Sequence, residues 1–393
     1  MTVAGIICEF NPLHSGHAYL MARLRQQGAD AVVCAMSGNF VQRGEPALVN
    51  KLSRAEMAVA CGADLVLELP TPWAMATAET FARGGVTLLA MADCTHIGFG
   101  SECGDAAALQ ATADTLLSPD LQADIRAALA EGVTYAAARQ KAAEARLGGS
   151  AAVLRQPNDT LAVEYLKACR QQNAPLSPIV IPRVGAAHDG NAEAGYASAS
   201  HIRQLVRQDT LDRALPYLPE AAAAVLRREL AAGRVTDVRN VERAILARLR
   251  QMREEEFAAY DGGGEGLYHR VYDAVRRCAT VEELLEAVKT KRYPAARLRR
   301  LVLAAWLELP KAPETVPYAR VLAANETGRA LLRQMRRAEQ PVLTKAADVA
   351  ALGRAAAELF RREAAYTDLY TLTYDDLTQS HPGSDWRLTP IMR

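Results

Sequence analysis

The sequence contains no run of about 18 uncharged apolar residues, which excludes a membrane-spanning helix. Its seven cysteines (Cys8, Cys34, Cys61, Cys94, Cys103, Cys169 and Cys278) include no CxxC pair and lie mostly inside apolar stretches. They read as reduced, buried, cytosolic thiols rather than a disulfide framework. Met1 to Phe10 carries no basic n-region and no small-residue cleavage site, so no secretory leader is expected and the location is expected to be cytoplasmic. No internal repeat or low-complexity tract is detectable. No GxxxxGK followed by Ser or Thr occurs, which excludes a P-loop. Gly98-Phe99-Gly100-Ser101-Glu102-Cys103-Gly104 has GxGxxxG spacing after a fourth strand, not GxGxxG after a first, so it is not a dinucleotide fingerprint. A Gly-lined surface near an adenine or ribose is the better reading of it. Net charge is nearly absent too: 46 Lys+Arg against 45 Asp+Glu leave +1. Taken as a sum, that argues against a nucleic-acid partner.

What is present is apolar content and alternation. Half of the 393 residues are hydrophobic and 23% are charged, too apolar for disorder and long enough for two domains. Buried strands are predicted at Val3–Cys8, Ala31–Met36, Asp64–Leu69, His96–Phe99 and Ser177–Pro182. Helices are predicted near His17–Gln27, Ser53–Cys61, Pro72–Ala92 and Asn158–Gln171, with extra helices inserted over Asp105–Gly148. Strand–helix alternation implies an α/β fold, a parallel sheet covered on both faces. Ligands are then expected at the carboxyl ends of the strands. After about Gln208 no strand signal recurs; the pattern becomes helical, broken by Asp261-Gly262-Gly263-Gly264. The expected division is an α/β domain over 1–205 and an all-α basic domain over 206–393. Charge divides with it. Residues 1–203 hold 15 basic and 19 acidic residues, whereas 204–393 hold 31 and 26. Within 289–337 there are 12 basic residues and 3 acidic ones. The neutral total hides a basic stretch.

The most informative segment is Ile7-Cys8-Glu9-Phe10-Asn11-Pro12-Leu13-His14-Ser15-Gly16-His17-Ala18-Tyr19-Leu20, which leaves a buried strand and opens a helix. His14 and His17 lie three apart and can face one side at a helix start. Free N–H groups there attract anions, and two imidazoles complete a site for phosphate oxygens. A zinc site from the two histidines lacks further ligands nearby, and no metal site is expected. Ser198-Ala199-Ser200-His201-Ile202-Arg203 supplies hydroxyl donors at a second helix start and a guanidinium fork.

NPxHxGH looks like the HxGH signature of the nucleotidyltransferase superfamily, and SxSxIR is similar to its ISSTxIR element. Along most of its length the chain resembles a narrower family, the bacterial tRNA(Met) cytidine acetate ligases. The matching stretches are Gly5–His17, Met36–Ala47, Gly62–Pro70, Phe99–Glu102, Pro157-Asn158-Asp159 with Glu164-Tyr165-Leu166-Lys167-Ala168, Ala197–Arg203, Glu265-Gly266-Leu267 and Lys289-Thr290-Lys291-Arg292-Tyr293; Ser37–Ala47 is the most family-specific run. Leu13 and Ser15 stand where Phe and Asn are usual, and Gln156 where Ser is usual. The resemblance implies that acetate attacks the α-phosphate of ATP to give acetyl-adenylate and pyrophosphate. The acetyl group then passes to N4 of the wobble cytidine of elongator tRNA(Met), so the resemblance implies a nucleotidyltransferase-like, ATP-binding catalytic domain over 1–205 and a tRNA-binding domain over 206–393. It implies ATP contacts from Ile7 to Leu20 and from Gly100, Asn158, Arg183, Ser198, Ser200 and Arg203, with His14 and His17 catalytic and Mg2+ carried in with ATP. Asn158, following Pro157, reads as an N-cap as well. Asn39, Gln42, Arg43 and Glu45 are candidates for acetate or the cytidine. Lys289, Lys291, Arg292 and Arg297, with Arg299, Arg300 and Tyr293, are candidates for RNA phosphates and stacking, extended by Arg333, Arg336 and Arg337. No stable protein partner is expected. A small-molecule adenylyltransferase shares both phosphate motifs but has no use for a basic helical half. A non-catalytic RNA-binding protein would not need intact His14, Gly16, His17 and Arg203.

Overall fold

The structure, a computed structural model, describes residues 1–133, 135–183, 195–208, 210–261, 266–290 and 292–393. Five strands form its parallel centre: β1 (Val3–Cys8), β2 (Ala31–Ser37), β3 (Leu65–Leu69), β4 (His96–Ser101) and β5 (Ser177–Pro182). Both faces of this sheet are covered, which is why β1, β2 and β3 are unbroken apolar runs with every residue but Glu68 nonpolar or small. Helices α1 (Ser15–Gln26), α2 (Lys51–Ala60), α3 (Ala78–Met91), α4 (Pro157–Gln171) and α5 (Ala199–Arg207) connect or cover them. Phe81, Val86 and Leu89 of α3 pack one face together with α4, while Met21, Leu24, Met57 and Ile202 pack the other. The predicted helix over Pro72–Ala92 is two pieces. A single turn at Thr71–Ala74 ends, and Thr77 caps α3 by accepting from the Thr80 N–H.

The central strand order is β3-β2-β1-β4-β5. The chain runs outward from β1 to β3, then crosses to the other side of β1 for β4 and β5. The crevice between the carboxyl ends of β1 and β4 is therefore the topological switch point, where such sheets bind ligands.

The second half is not free of strands. β6 (Ala319–Ala324) pairs antiparallel with β3, β7 (Val342–Leu343) pairs with β6, and β8 (Ile391–Met392) closes that edge. The sheet is thus mixed. Sequence reading missed β6 because Ala319-Arg320-Val321-Leu322-Ala323-Ala324 is a short, Ala-rich apolar run, and periodicity does not separate a buried strand from a buried helix. Among the helices of this half are α6 (Ala295–Leu307), α7 (Glu326–Arg337) and α8 (Arg354–Thr371), and a third core of Ile245, Leu249, Phe257, Trp306 and Tyr370 lies among helical elements.

A buried ionic cluster ties the late strand to the early ones. Lys51 Nζ lies 2.8 Å from Glu68 Oε1 and 2.7 Å from Asp385 Oδ2; Arg320 lies 2.8 Å from Asp385 Oδ2 and 3.4 Å from Glu68 Oε2. It gathers α2, β3, β6 and the C-terminal segment at the carboxyl end of the sheet.

Candidate active site

The loop after β1 runs directly into α1, so the motif histidines stand at a helix N-terminus beside the switch point. His14 is the N-cap. Its Nδ1 accepts from the Gly16 N–H at 3.1 Å, and its own N–H donates to His17 Nδ1 at 3.3 Å. The two rings stack, centroids 3.8 Å apart and planes 29° from parallel. A ring nitrogen that accepts carries no proton, so both neutral imidazoles are assigned the Nε2–H tautomer. Burial and then the Arg183 cation pull His14 down to about 3; burial, His14 and Arg183 hold His17 well below its usual value. The half-buried rings therefore offer two neutral N–H donors next to the positive end of a helix, a ready site for phosphate oxygens.

One pH prediction follows. An ordinary histidine gains its charge, and affinity for a polyphosphate, as pH falls through about 6.5. Here protonation of His14 waits until pH approaches about 3. The kcat/KM for ATP is expected not to rise as pH falls from about 7.5 to about 5.5. A rise in that window that disappears in His14→Asn would show that the ring titrates normally.

The wall opposite comes from β4 and β5. Arg183 follows β5, its N–H donating to Ser101 O at 3.0 Å, and its side chain lies over Gly100, where a Cβ would sit 3.3 Å from Arg183 Cγ. Asp159, fully buried, accepts from Ser101 Oγ at 2.5 Å, Glu102 N at 2.9 Å and Cys103 N at 3.1 Å. Glu102 in return accepts from Asn158 Nδ2 and from Asp159 N. The reading of Asn158 as an N-cap is corrected: Gln156 is the cap, Pro157 occupies the first turn, and Asn158 lies inside the helix with its amide on Glu102. Asp159 was not singled out as a site residue, although it stands inside the Pro157-Asn158-Asp159 match. The structure thus brings His14, His17, Gly100 and Arg183 to one crevice, with Asn158 bonded to Glu102 in its wall.

Ser198 caps α5 by accepting from the His201 N–H at 3.2 Å. Arg203 is buried, with Nη1 donating to Asn11 O at 2.8 Å and Nη2 to Glu45 Oε1 at 2.7 Å and Ser200 Oγ at 3.5 Å. It is a strut between the histidine loop and the Ser37–Ala47 loop. Beside it a cavity of about 570 Å³ is lined by Ser200, Arg203, Arg207 and Arg239, among others. The Val184–Ala194 part of the connection to this motif lies outside the described residues.

Ser37–Ala47, the stretch that holds the candidates Asn39, Gln42, Arg43 and Glu45, is largely buried and forms a short hairpin, Phe40–Val41 against Glu45–Pro46. Asn39 is buried, its Oδ1 accepting from Lys51 N at 2.9 Å and its Nδ2 donating to Thr367 at 3.1 Å. It holds the loop and does not face the crevice as a ligand. The Gln42 N–H donates to Glu9 Oε1 at 2.7 Å. Burial raises the Glu9 carboxyl against the Gln42 N–H that it accepts; Glu45 adds to the rise, and Arg203 and Arg43 oppose it. Arg54, fully buried and not detected by sequence reasoning, donates to the carbonyls of Glu9, Ser37, Gly38 and Val49 and so joins the ends of β1 and β2. Nothing in its sequence neighbourhood distinguishes it from a surface helical arginine.

The expected RNA cluster is dispersed. Lys289 and Arg292 are exposed. Arg297 donates to Asp261, and Arg299 and Arg300 donate to the carbonyls of Arg43 and Gln42. Tyr293 is a core residue, 5% exposed, so it is not a stacking platform for a base. Lys291 lies outside the described residues, as do Gly262, Gly263, Gly264 and Glu265. Arg333, Arg336 and Arg337 stand exposed on α7.

The HIGH Nucleotidyl Transferase family matches residues 1–385. The tRNA(Met) cytidine acetate ligase of Syntrophomonas wolfei subsp. wolfei is 32% identical over 413 residues, covering 100% of this chain and 99% of that protein. That of Caldanaerobacter subterraneus subsp. tengcongensis is 35% identical over 395 residues, 97% of each. Two crystal structures of Thermotoga maritima TmcAL superpose on the whole chain at 30% identity, each covered to 99%. The apo form has a TM-score of 0.94, and the form bound with alpha-thio ATP has 0.92. With HxGH donors at the switch point and likeness over the full length, the chain belongs to the tRNA(Met) cytidine acetate ligase family of HIGH nucleotidyltransferases.

Proposed function

We propose that the chain acetylates N4 of the wobble cytidine of elongator tRNA(Met), using acetate and ATP. An acetate oxygen attacks the α-phosphorus and the bond to the β-phosphate oxygen breaks, giving acetyl-adenylate and pyrophosphate. The cytidine N4 then attacks the acetyl carbonyl, the carbonyl–oxygen bond to AMP breaks, and the amine gives up a proton. The observation that carries this reading is the stacked His14–His17 pair, with two Nε2–H donors and Arg183 converging at the switch point. Such a site stabilises charge on transferring phosphoryl groups and needs no protein nucleophile. Mg2+ enters with ATP. Gly100, Asn158, Ser198 and Ser200 complete the nucleotide site, and Gln42 and Arg43 stand towards the acetyl group and the base. In this reading nucleotide chemistry belongs to 1–205 and RNA recognition to the helical parts of 206–393, although β6 of the latter completes the sheet. Lys289, Arg292, Arg333 and Arg337 meet RNA phosphates in the cytoplasm.

The test is nucleoside mass spectrometry of tRNA incubated with the enzyme, ATP and labelled acetate. Labelled N4-acetylcytidine is expected, together with ATP–pyrophosphate exchange that needs acetate but not tRNA. Exchange that proceeds equally without acetate, or tRNA that stays unlabelled, would overturn the reading.

A further inference from the structure

The turn at Gln42–Gly44 is gripped from both halves of the chain. From the sheet side, Glu9 Oε1 takes the Gln42 N–H at 2.7 Å. From the helical side, Arg300 Nη1 donates to Gln42 O at 3.0 Å and Arg299 Nε to Arg43 O at 3.1 Å. Gly44 has φ +72°, and a Cβ there would lie 2.4 Å from the Arg300 nitrogen. The turn is therefore seated on the backbone of α6 with no room for a side chain. Further along α6, Trp306 meets Phe40 of the same loop edge-on at 6.4 Å. Glu9 directly follows β1 and the turn follows β2, which ends at Ser37, so the turn and its Arg43 stand at the carboxyl ends of β1 and β2. Of the nucleotide groups, Gly100 and Arg183 stand at the carboxyl ends of β4 and β5, across the crevice from His14 and His17.

We propose that Arg299 and Arg300 are positioning residues for the acetyl-transfer half-reaction, holding the Gln42–Gly44 turn over the acyl end of the crevice, and are not RNA-phosphate contacts. The inference rests on the proposed function. Both side chains are half-buried and already donate to carbonyls. They serve the helical half as a mechanical link: α6 sets where Arg43 stands.

The test uses full-length Arg300→Met and Arg300→Lys, with Arg299→Met as a milder second variant should Arg300→Met fold poorly. Three quantities are read: acetate-dependent exchange, single-turnover transfer from preformed acetyl-adenylate to tRNA, and the salt dependence of tRNA binding. Arg300→Met is expected to slow transfer about 10²-fold, the scale of a misplaced reacting group. Exchange and the tRNA salt slope are expected to stay as in the unaltered enzyme, and Arg300→Lys, which keeps one donor for Gln42 O, to recover most of the loss. A salt slope shallower by about 0.9 would mark a phosphate contact and overturn the inference. So would exchange falling in step with transfer, or transfer left unchanged. An unaltered enzyme that does not label tRNA would instead overturn the function.

Discussion

His14→Asn is expected to lower acetate-dependent ATP–pyrophosphate exchange about 10²–10³-fold while leaving the fold intact, the usual cost of removing one preorganised donor to a transition-state oxygen. Asparagine is chosen because the position does two things. As N-cap, His14 accepts the Gly16 N–H through Nδ1, and asparagine is among the best residues for that task. Its short side chain does not replace the ring's Nε2–H on the crevice side. Exchange within about threefold of the unaltered enzyme would mean that the ring acts only as a cap. His17→Ala removes the second donor and the acceptor for the His14 N–H, so a loss at least as large is expected. The double variant is expected to be little worse than either single one, because stacked groups acting on one phosphate act as a unit.

Lys51→Met is expected to lower unfolding free energy by about 3–5 kcal/mol, read as a fall in the urea midpoint, the scale seen when one partner leaves a buried ion pair. Lys51, Glu68, Asp385 and Arg320 are each 5% exposed or less at the side chain. With Lys51 gone, two buried carboxylates face Arg320 alone. A loss below about 1 kcal/mol would show that Arg320 and the Thr367 hydroxyl satisfy both. Burial pushes Asp385 up, but Lys51 and Arg320 outweigh it and hold it below its ordinary value. Its contribution is therefore complete above the unfolded carboxylate value of about 4 and is lost as pH falls through the folded one.

Much of this was legible from local pattern. The strands at Val3–Cys8 and Ser177–Pro182 are found as expected, and those at Ala31–Ser37, Leu65–Leu69 and His96–Ser101 agree to within a residue or two at their ends. Doubly covered parallel strands are short apolar runs, and such runs are visible without a structure. The histidine pair was legible for the same reason: capping and stacking at i and i+3 are local geometry. Tyr293, Arg299 and Arg300 were not. An aromatic among cations reads alike whether it faces solvent or, as here, a core of distant helices. Arg54 was invisible because its four acceptors lie on three separate segments of chain.

By itself, the sequence determined the parallel centre of the sheet, the loop that follows its first strand and the chemistry of that loop. All of these depend on residues close together in the chain. Only the tertiary structure decided that Ala319–Ala324 joins the sheet beside β3, that Asp385 lies beneath Lys51, and that α6 grips the turn at Gln42–Gly44. Those contacts join residues tens to hundreds of positions apart, and their energy comes from burial and paired charge, which no local spacing encodes.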